Sequence, residues 1–180
     1  MILKVINHDF VYDMKNLCTV FFPWEKINDD GQDNITVITK ADGNEYFVSC
    51  KLFDREVSKT HILSGSEDGA TEMSVLLYNV LSEITGFKPP WGILFGVRPA
   101  KLMHRFVDEM GEEKARKYFI DEFLATAKKT DLALEVMKHE NKIIALSKPE
   151  SFSLYVSIPF CPSRCAYCSF VSHSIERTHK

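Results

Sequence analysis

The sequence predicts an α+β fold, and three observations carry that reading. Short runs of alternating apolar residues near the start read as strands. Apolar residues at helical spacing interrupt and follow them. Their order, β-α-β-β-α, describes a small, mostly antiparallel sheet with helices packed on it. A helical segment comes next, and then a further strand that leads into a cysteine-rich loop.

Each element has its own signal. Ile2–Asn7 is a short strand, and a helix over about Asp9–Phe22 is ended by Pro23. "DDGQDN" is a polar loop. Asn34–Lys40 and Glu45–Phe53 flank "ADGN", whose Asp-Gly pair signals a hairpin. In the second strand Tyr46, Val48, Cys50 and Leu52 alternate with Phe47, Ser49 and Lys51, so one face is expected to be buried. "SGSEDG" offers Ser66 or Asp68 as an N-cap. Met73, Leu76, Leu77, Val80, Leu81 and Ile84 then keep helical spacing until Gly86. "FKPPWGILFG" is a rigid apolar connector. Three helices follow, over about Pro99–Met110, Glu112–Ala127 and Asp131–Leu146. The middle one has the stripe Ala115, Phe119, Phe123 and Leu124, and the last has Leu132, Val136, Met137, Ile143 and Ile144. "SKPES" is a linker. The expected domains are 1–92 (α+β), 93–148 (helical, packing on the first) and 149–180 (strand and cysteine loop).

The 180 residues are 45% hydrophobic and 26% charged, the balance of a globular chain. A net charge of -3 supplies no general attraction to nucleic acid or anionic lipid. The first residues lack the basic region of a signal peptide, and the longest apolar run, Leu17 to Trp24, is too short to cross a bilayer. A cytoplasmic location and no membrane partner are expected.

Of five cysteines, Cys18 and Cys50 sit alone in apolar stretches, where a thiol acts as a small hydrophobe. The other three, Cys161, Cys165 and Cys168, crowd into "SLYVSIPFCPSRCAYCSF". Before them Leu154, Val156 and Ile158 alternate with Ser153, Tyr155 and Ser157, which predicts a strand ending at the loop. Thiolates select soft metals. Three of them leave one coordination position open, as a catalytic cluster needs, whereas a structural zinc site closes the fourth position. An iron–sulfur cluster is the leading reading, and zinc with His173 as fourth ligand is the competing one.

"YVSIPFCPSRCAYC" resembles the cluster-binding signature of the radical S-adenosylmethionine enzymes, and within them the oxygen-independent coproporphyrinogen III oxidase group. "GVRPAKL" and the long segment before the motif look most like that group's HemZ-type branch. The motif covers about twenty residues and is specific for the superfamily. The resemblance implies that Cys161, Cys165 and Cys168 hold a [4Fe–4S] cluster whose open iron chelates S-adenosylmethionine. It implies reductive cleavage to a 5′-deoxyadenosyl radical, which in the family abstracts a propionate hydrogen from coproporphyrinogen III, with decarboxylation to a vinyl group. Tyr155 matches a tyrosine near the cluster and cofactor, and Tyr167 an aromatic position whose backbone neighbours the adenine; an ordinary strand aromatic and a loop-packing residue are their plain alternatives. A tetrapyrrole substrate and an electron donor are the implied partners. The best-characterised oxidases of the group carry a further cysteine where this chain has Phe170; the related haem-chaperone branch also lacks it.

A complete eight-unit barrel takes about 250 residues, so 149–180 is expected to be the first strand and cluster loop of an incomplete radical S-adenosylmethionine barrel. No catalytic residue is assigned in the chain, and by itself it is not expected to cleave S-adenosylmethionine.

Ahead of the motif, "GVRPAKLMHR" is the informative stretch. Pro99 suits a first helical turn, and Arg98, Lys101 and Arg105 fall on roughly one face. A helix N-terminus beside an Arg can hold an anion such as a propionate or phosphate. A solvated basic face gives the same spacing, and for Arg98 a buried ion pair is the plain alternative. The module then serves either substrate delivery or recognition of a macromolecule. The acidic balance and the lack of an aromatic-plus-basic strand face argue against RNA. His8, His61 and His104 show no metal-ligand spacing.

Overall fold

The computed structural model describes residues 1–62, 68–95 and 98–162, and the backbone of 173–174. Met1–Lys142 forms one compact unit and Ile143–Lys180 a second.

The first unit begins with β1 (Ile2–Ile6), α1 (Val11–Phe21), β2 (Ile35–Asp42), β3 (Glu45–Leu52), β4 (Arg55–Ile62) and α2 (Gly69–Thr85). The sheet order is β1-β2-β3-β4, with β1 parallel to β2 and the other two pairings antiparallel. This is the mostly antiparallel α+β sheet the sequence predicts, with one strand more. β4 escaped the sequence reading for two reasons. Its hairpin turns through Phe53 in a left-handed conformation (φ 53°), with no glycine to announce it. It is also a polar edge strand, exposed at Arg55, Glu56, Ser58 and Thr60.

Leu3, Val37, Val48 and Cys50 point to the helix-covered face and meet Met14, Leu17 and Cys18 of α1 and Met73, Leu77, Val80 and Leu81 of α2 in one core. The start of α2 is capped as expected by Asp68, whose carboxylate accepts from the Thr71 amide at 3.1 Å. Its end is the left-handed Gly86 (φ 71°), a position that suits a residue without Cβ. On the opposite face, alternation and register group Lys4, Ile38, Lys40, Phe47 and Lys51. An aromatic-plus-basic strand face is therefore present, contrary to expectation. Two of its cations have acids at hand: Lys40 reaches Asp42 at 2.7 Å, and Lys51 lies opposite Glu56.

A second core in the same unit joins α3 (Pro99–Met110), α4 (Glu112–Asp121) and α5 (Ala127–Ile144) through Met103, Phe106, Ala115, Phe119, Ala133, Leu134 and Met137. α3 has the predicted bounds. α4 ends six residues earlier than expected and α5 begins four earlier, because the chain turns between them. Leu124 is left-handed there (φ 57°), and Thr126 caps α5 by accepting from the Lys129 amide at 3.4 Å. The buried stripe of α5 is Thr130, Ala133, Leu134 and Met137. Of the expected stripe only Met137 is buried; Leu132, Val136, Ile143 and Ile144 are exposed. Two sets of residues keep helical spacing here, and the face packed on α3 and α4 is that of Thr130, Ala133, Leu134 and Met137, which leaves Leu132 and Val136 outward.

In the second unit the described pairing is short. β5 (Phe160–Cys161) and β6 (His173–Ser174) form a parallel pair. No strand runs over 151–159, although the alternation there predicts one. A strand needs a partner for its amides, and among the described residues none pairs with this stretch. Both of its faces, Leu154, Val156 and Ile158 as well as Tyr155, are exposed.

Candidate functional site

Cys161 is a half-buried free thiol on β5, immediately after Pro159-Phe160. Cys165, Tyr167, Cys168 and Phe170 lie outside the described residues. The β5–β6 pairing brings the backbone on either side of segment 162–172 together, with Cys161 opposite Ser174 and Phe160 opposite His173. The donor set that segment carries, two thiols beyond Cys161, suits a soft metal centre. Among the described residues no three His, Cys, Asp or Glu side chains are grouped to hold a metal ion. Tyr155 is 79% exposed and has no hydrogen bond or ring contact among the described residues.

The other two cysteines differ in kind. Cys18 and Cys50 are fully buried in the sheet–helix core. Burial, and then the neighbouring Cys50, pushes the Cys18 thiol far up; burial and then Glu56 push Cys50 up to about 12. Such thiols neither ligate metal nor react at neutral pH.

Arg98, Lys101 and Arg105 come together in the first unit, where with Leu102 they line an open cleft of about 270 Å³. Arg98 is the N-cap residue of α3, with an extended backbone, and Pro99 is the first helical residue. Lys101 and Arg105 follow four residues apart, so α-helical geometry stacks them on one side. The ion pair suggested for Arg98 is not found: Arg98 is exposed, and neither it nor Lys101 has an acidic partner among the described residues. Arg105 is steadied by Phe106, its guanidinium carbon 5.1 Å from the ring centroid, and its Nε lies 3.7 Å from Glu109.

The start of α3 carries no side-chain cap and no acid in its first turn. The partial positive charge of a helix N-terminus favours anions by about 0.3–1 kcal/mol and disfavours cations similarly. Arg98 and Lys101, in that turn, oppose the preference, and Arg105 lies about a turn further along. All three were grouped by the "GVRPAKLMHR" spacing, and Leu102 as the apolar wall was not, because a lone leucine at the edge of a helical stripe carries no signal.

A larger cavity, about 370 Å³, lies between α2 and α4 and has the opposite character. Asp68, Glu72 and Glu122 line it with His61, whose Nε2 is 3.4 Å from Glu72. Such a lining repels an anion and separates this cavity from the basic cleft.

No helix among the described residues is long and apolar enough to cross a membrane. No family model and no solved structure matches the chain. The chain is similar to the oxygen-independent coproporphyrinogen-III oxidase-like protein HemZ of Bacillus subtilis (strain 168), 33% identical over 107 residues. The match takes in 58% of this chain and 21% of that protein, so the chain spans about a fifth of the length of the curated relative it matches.

Proposed function

We propose that the chain is part of a radical S-adenosylmethionine protein of the oxygen-independent coproporphyrinogen III oxidase group, with Cys161, Cys165 and Cys168 as the ligands of a [4Fe–4S] cluster. The observation that carries this reading is the C-x3-C-x2-C triplet directly after "YVSIPF", with Cys161 accessible enough to ligate. The named similarity to a coproporphyrinogen-III oxidase-like protein supports the same group, and with it a tetrapyrrole substrate for the whole protein; an electron donor is proposed along with the cluster. Cys161, Cys165 and Cys168 would hold the cluster, which would supply one-electron reduction of S-adenosylmethionine. The chain's own part is to present three thiolates on one loop, with Tyr155 and Tyr167 beside the cofactor. Oxidative decarboxylation of coproporphyrinogen III is the activity proposed for the whole protein; the cytoplasm is its proposed location.

A second reading is a zinc site of three thiolates and one imidazole: the β5–β6 pairing brings the backbone of His173 opposite Phe160, the residue before Cys161. Anaerobic reconstitution with iron and sulfide decides between them. The cluster reading expects iron and sulfide bound together, thiolate-to-iron absorbance, and loss of both in Cys161→Ala, with His173→Ala unchanged. Tight zinc that is lost in His173→Ala, with no iron signal, overturns it.

A further inference from the structure

We propose that the cleft formed by Arg98, Lys101, Leu102 and Arg105 is the docking point for the carboxylates of an organic polyacid with an apolar body. Four features point to such an occupant. The three cations share one cleft rather than a dispersed surface. Arg98 and Lys101 have no acidic partner among the described residues, while Arg105, steadied over Phe106, stands at 3.7 Å from its nearest carboxylate. Arg98 and Lys101 sit at an uncapped helix start whose amides already attract negative charge, so an anion bound there relieves a repulsion that no described acid paired with either residue relieves. Leu102 gives the cleft one apolar wall, which an inorganic anion does not use.

The size of the patch argues for a compact ligand over a polymer. None of the basic residues of α4 lines the cleft, and Arg116 is held by Asp131 at 2.7 Å. A nucleic acid backbone needs a continuing track of cations, and this cleft is lined by three, all within Arg98–Arg105. Two guanidinium forks and an ammonium suit two carboxylates, one held bidentately. The anion chemistry rests on the cleft alone. The identity of the apolar body as a tetrapyrrole rests on the function proposed above.

The test titrates the full chain by fluorescence with coproporphyrin III, its tetramethyl ester and, in competition, inorganic pyrophosphate. Expected is saturable binding of the free acid that weakens with salt, with the ester binding at least about tenfold more weakly. Arg98→Gln/Lys101→Gln weakens the acid by a further factor of about ten or more and leaves the ester unchanged. Lys114→Gln/Lys117→Gln, on α4, leaves both unchanged. Both double variants replace exposed side chains, and unchanged circular dichroism and melting confirm that they fold. Equal binding of acid and ester overturns the proposal, as does an Arg98→Gln/Lys101→Gln variant that binds the acid normally. Pyrophosphate binding without porphyrin binding overturns the polycarboxylate assignment. Iron and sulfide content measured on the same samples separates the readings: a cluster without porphyrin binding sinks only this inference, and porphyrin binding without a cluster sinks only the radical-enzyme reading.

Discussion

The ring of Phe106 on α3 stacks on Tyr118 of α4, with centroids 4.8 Å apart and planes 26° from parallel. Phe119 and Phe123 meet the same ring edge-on at 6.0 and 5.8 Å. Phe106 is thus the central contact of the helical core and the neighbour that steadies Arg105. Phe106→Ala is expected to cost about 3–5 kcal/mol in urea unfolding, the range for emptying a buried aromatic site. Phe106→Leu, which keeps most of the volume, should cost appreciably less. An alanine variant within 1 kcal/mol or so of wild type would show that the stack does not hold α3 in place.

Gly92 makes a second, sharper prediction. It lies in the apolar connector, where the Ile93 amide donates to the Phe123 carbonyl at 2.9 Å and the Thr126 amide to Pro90 at 3.0 Å. Its φ is +61°, and a Cβ there would run into the Phe123 carbonyl oxygen and the Leu124 carbonyl carbon. Gly92→Ala therefore combines backbone strain of about 1–3 kcal/mol with a collision that only backbone movement relieves. Gly86→Ala is the control: its φ is +71° and its Cβ would meet open space, so it should cost only about 1 kcal/mol. Thermal melts should show Gly92→Ala well below Gly86→Ala; equal melting points would refute the close approach.

The contrast between these two glycines also explains how far the sequence could be read. Gly86 ended a run of apolar residues at helical spacing, so local pattern sufficed to place it. Gly92 is constrained by Phe123 and Leu124, about thirty residues away, and no local pattern reports such a contact. Strands β2 and β3 were legible because an Asp-Gly turn and one clean apolar face coincide. β4 was not, because an edge strand keeps polar residues on both sides. The basic cleft was half legible: helical spacing grouped its cations, while the lack of an ion pair for Arg98 among the described residues is a tertiary fact. The alternation over 151–159 was legible as a strand pattern, but pairing depends on a neighbour that local sequence does not specify.

His8 links stability to pH. Its Nε2 is 3.0 Å from Oγ1 of the fully buried Thr39, and burial holds the imidazole below its ordinary value despite the opposing effects of Thr39 and Asp9. The unfolded chain therefore takes up a proton at a higher pH than the folded one. Below about pH 6.5, the unperturbed histidine value, unfolding gains protons and stability falls until the folded His8 also titrates. Urea midpoints should decline from pH 7 toward pH 5, and His8→Gln should flatten this part of the profile. A variant whose profile matches wild type in slope would assign the decline to other groups.

Thiol chemistry should divide the cysteines of the described structure into two classes. Cys18 and Cys50 are sealed in the core with thiols pushed up by burial, whereas Cys161 is half-exposed. Alkylation requires both access and the thiolate, and at pH 8 the two core thiols have neither. In metal-free protein, iodoacetamide followed by peptide mapping should modify Cys161 within the first phase and leave Cys18 and Cys50 untouched until denaturant is added. Loading with iron and sulfide should then protect Cys161 if it is a cluster ligand, without altering the core pair. Rapid native labelling of Cys18 would mean that α1 opens from the sheet more readily than its packing implies, and an unprotected Cys161 in iron-loaded protein would remove it from the ligand set.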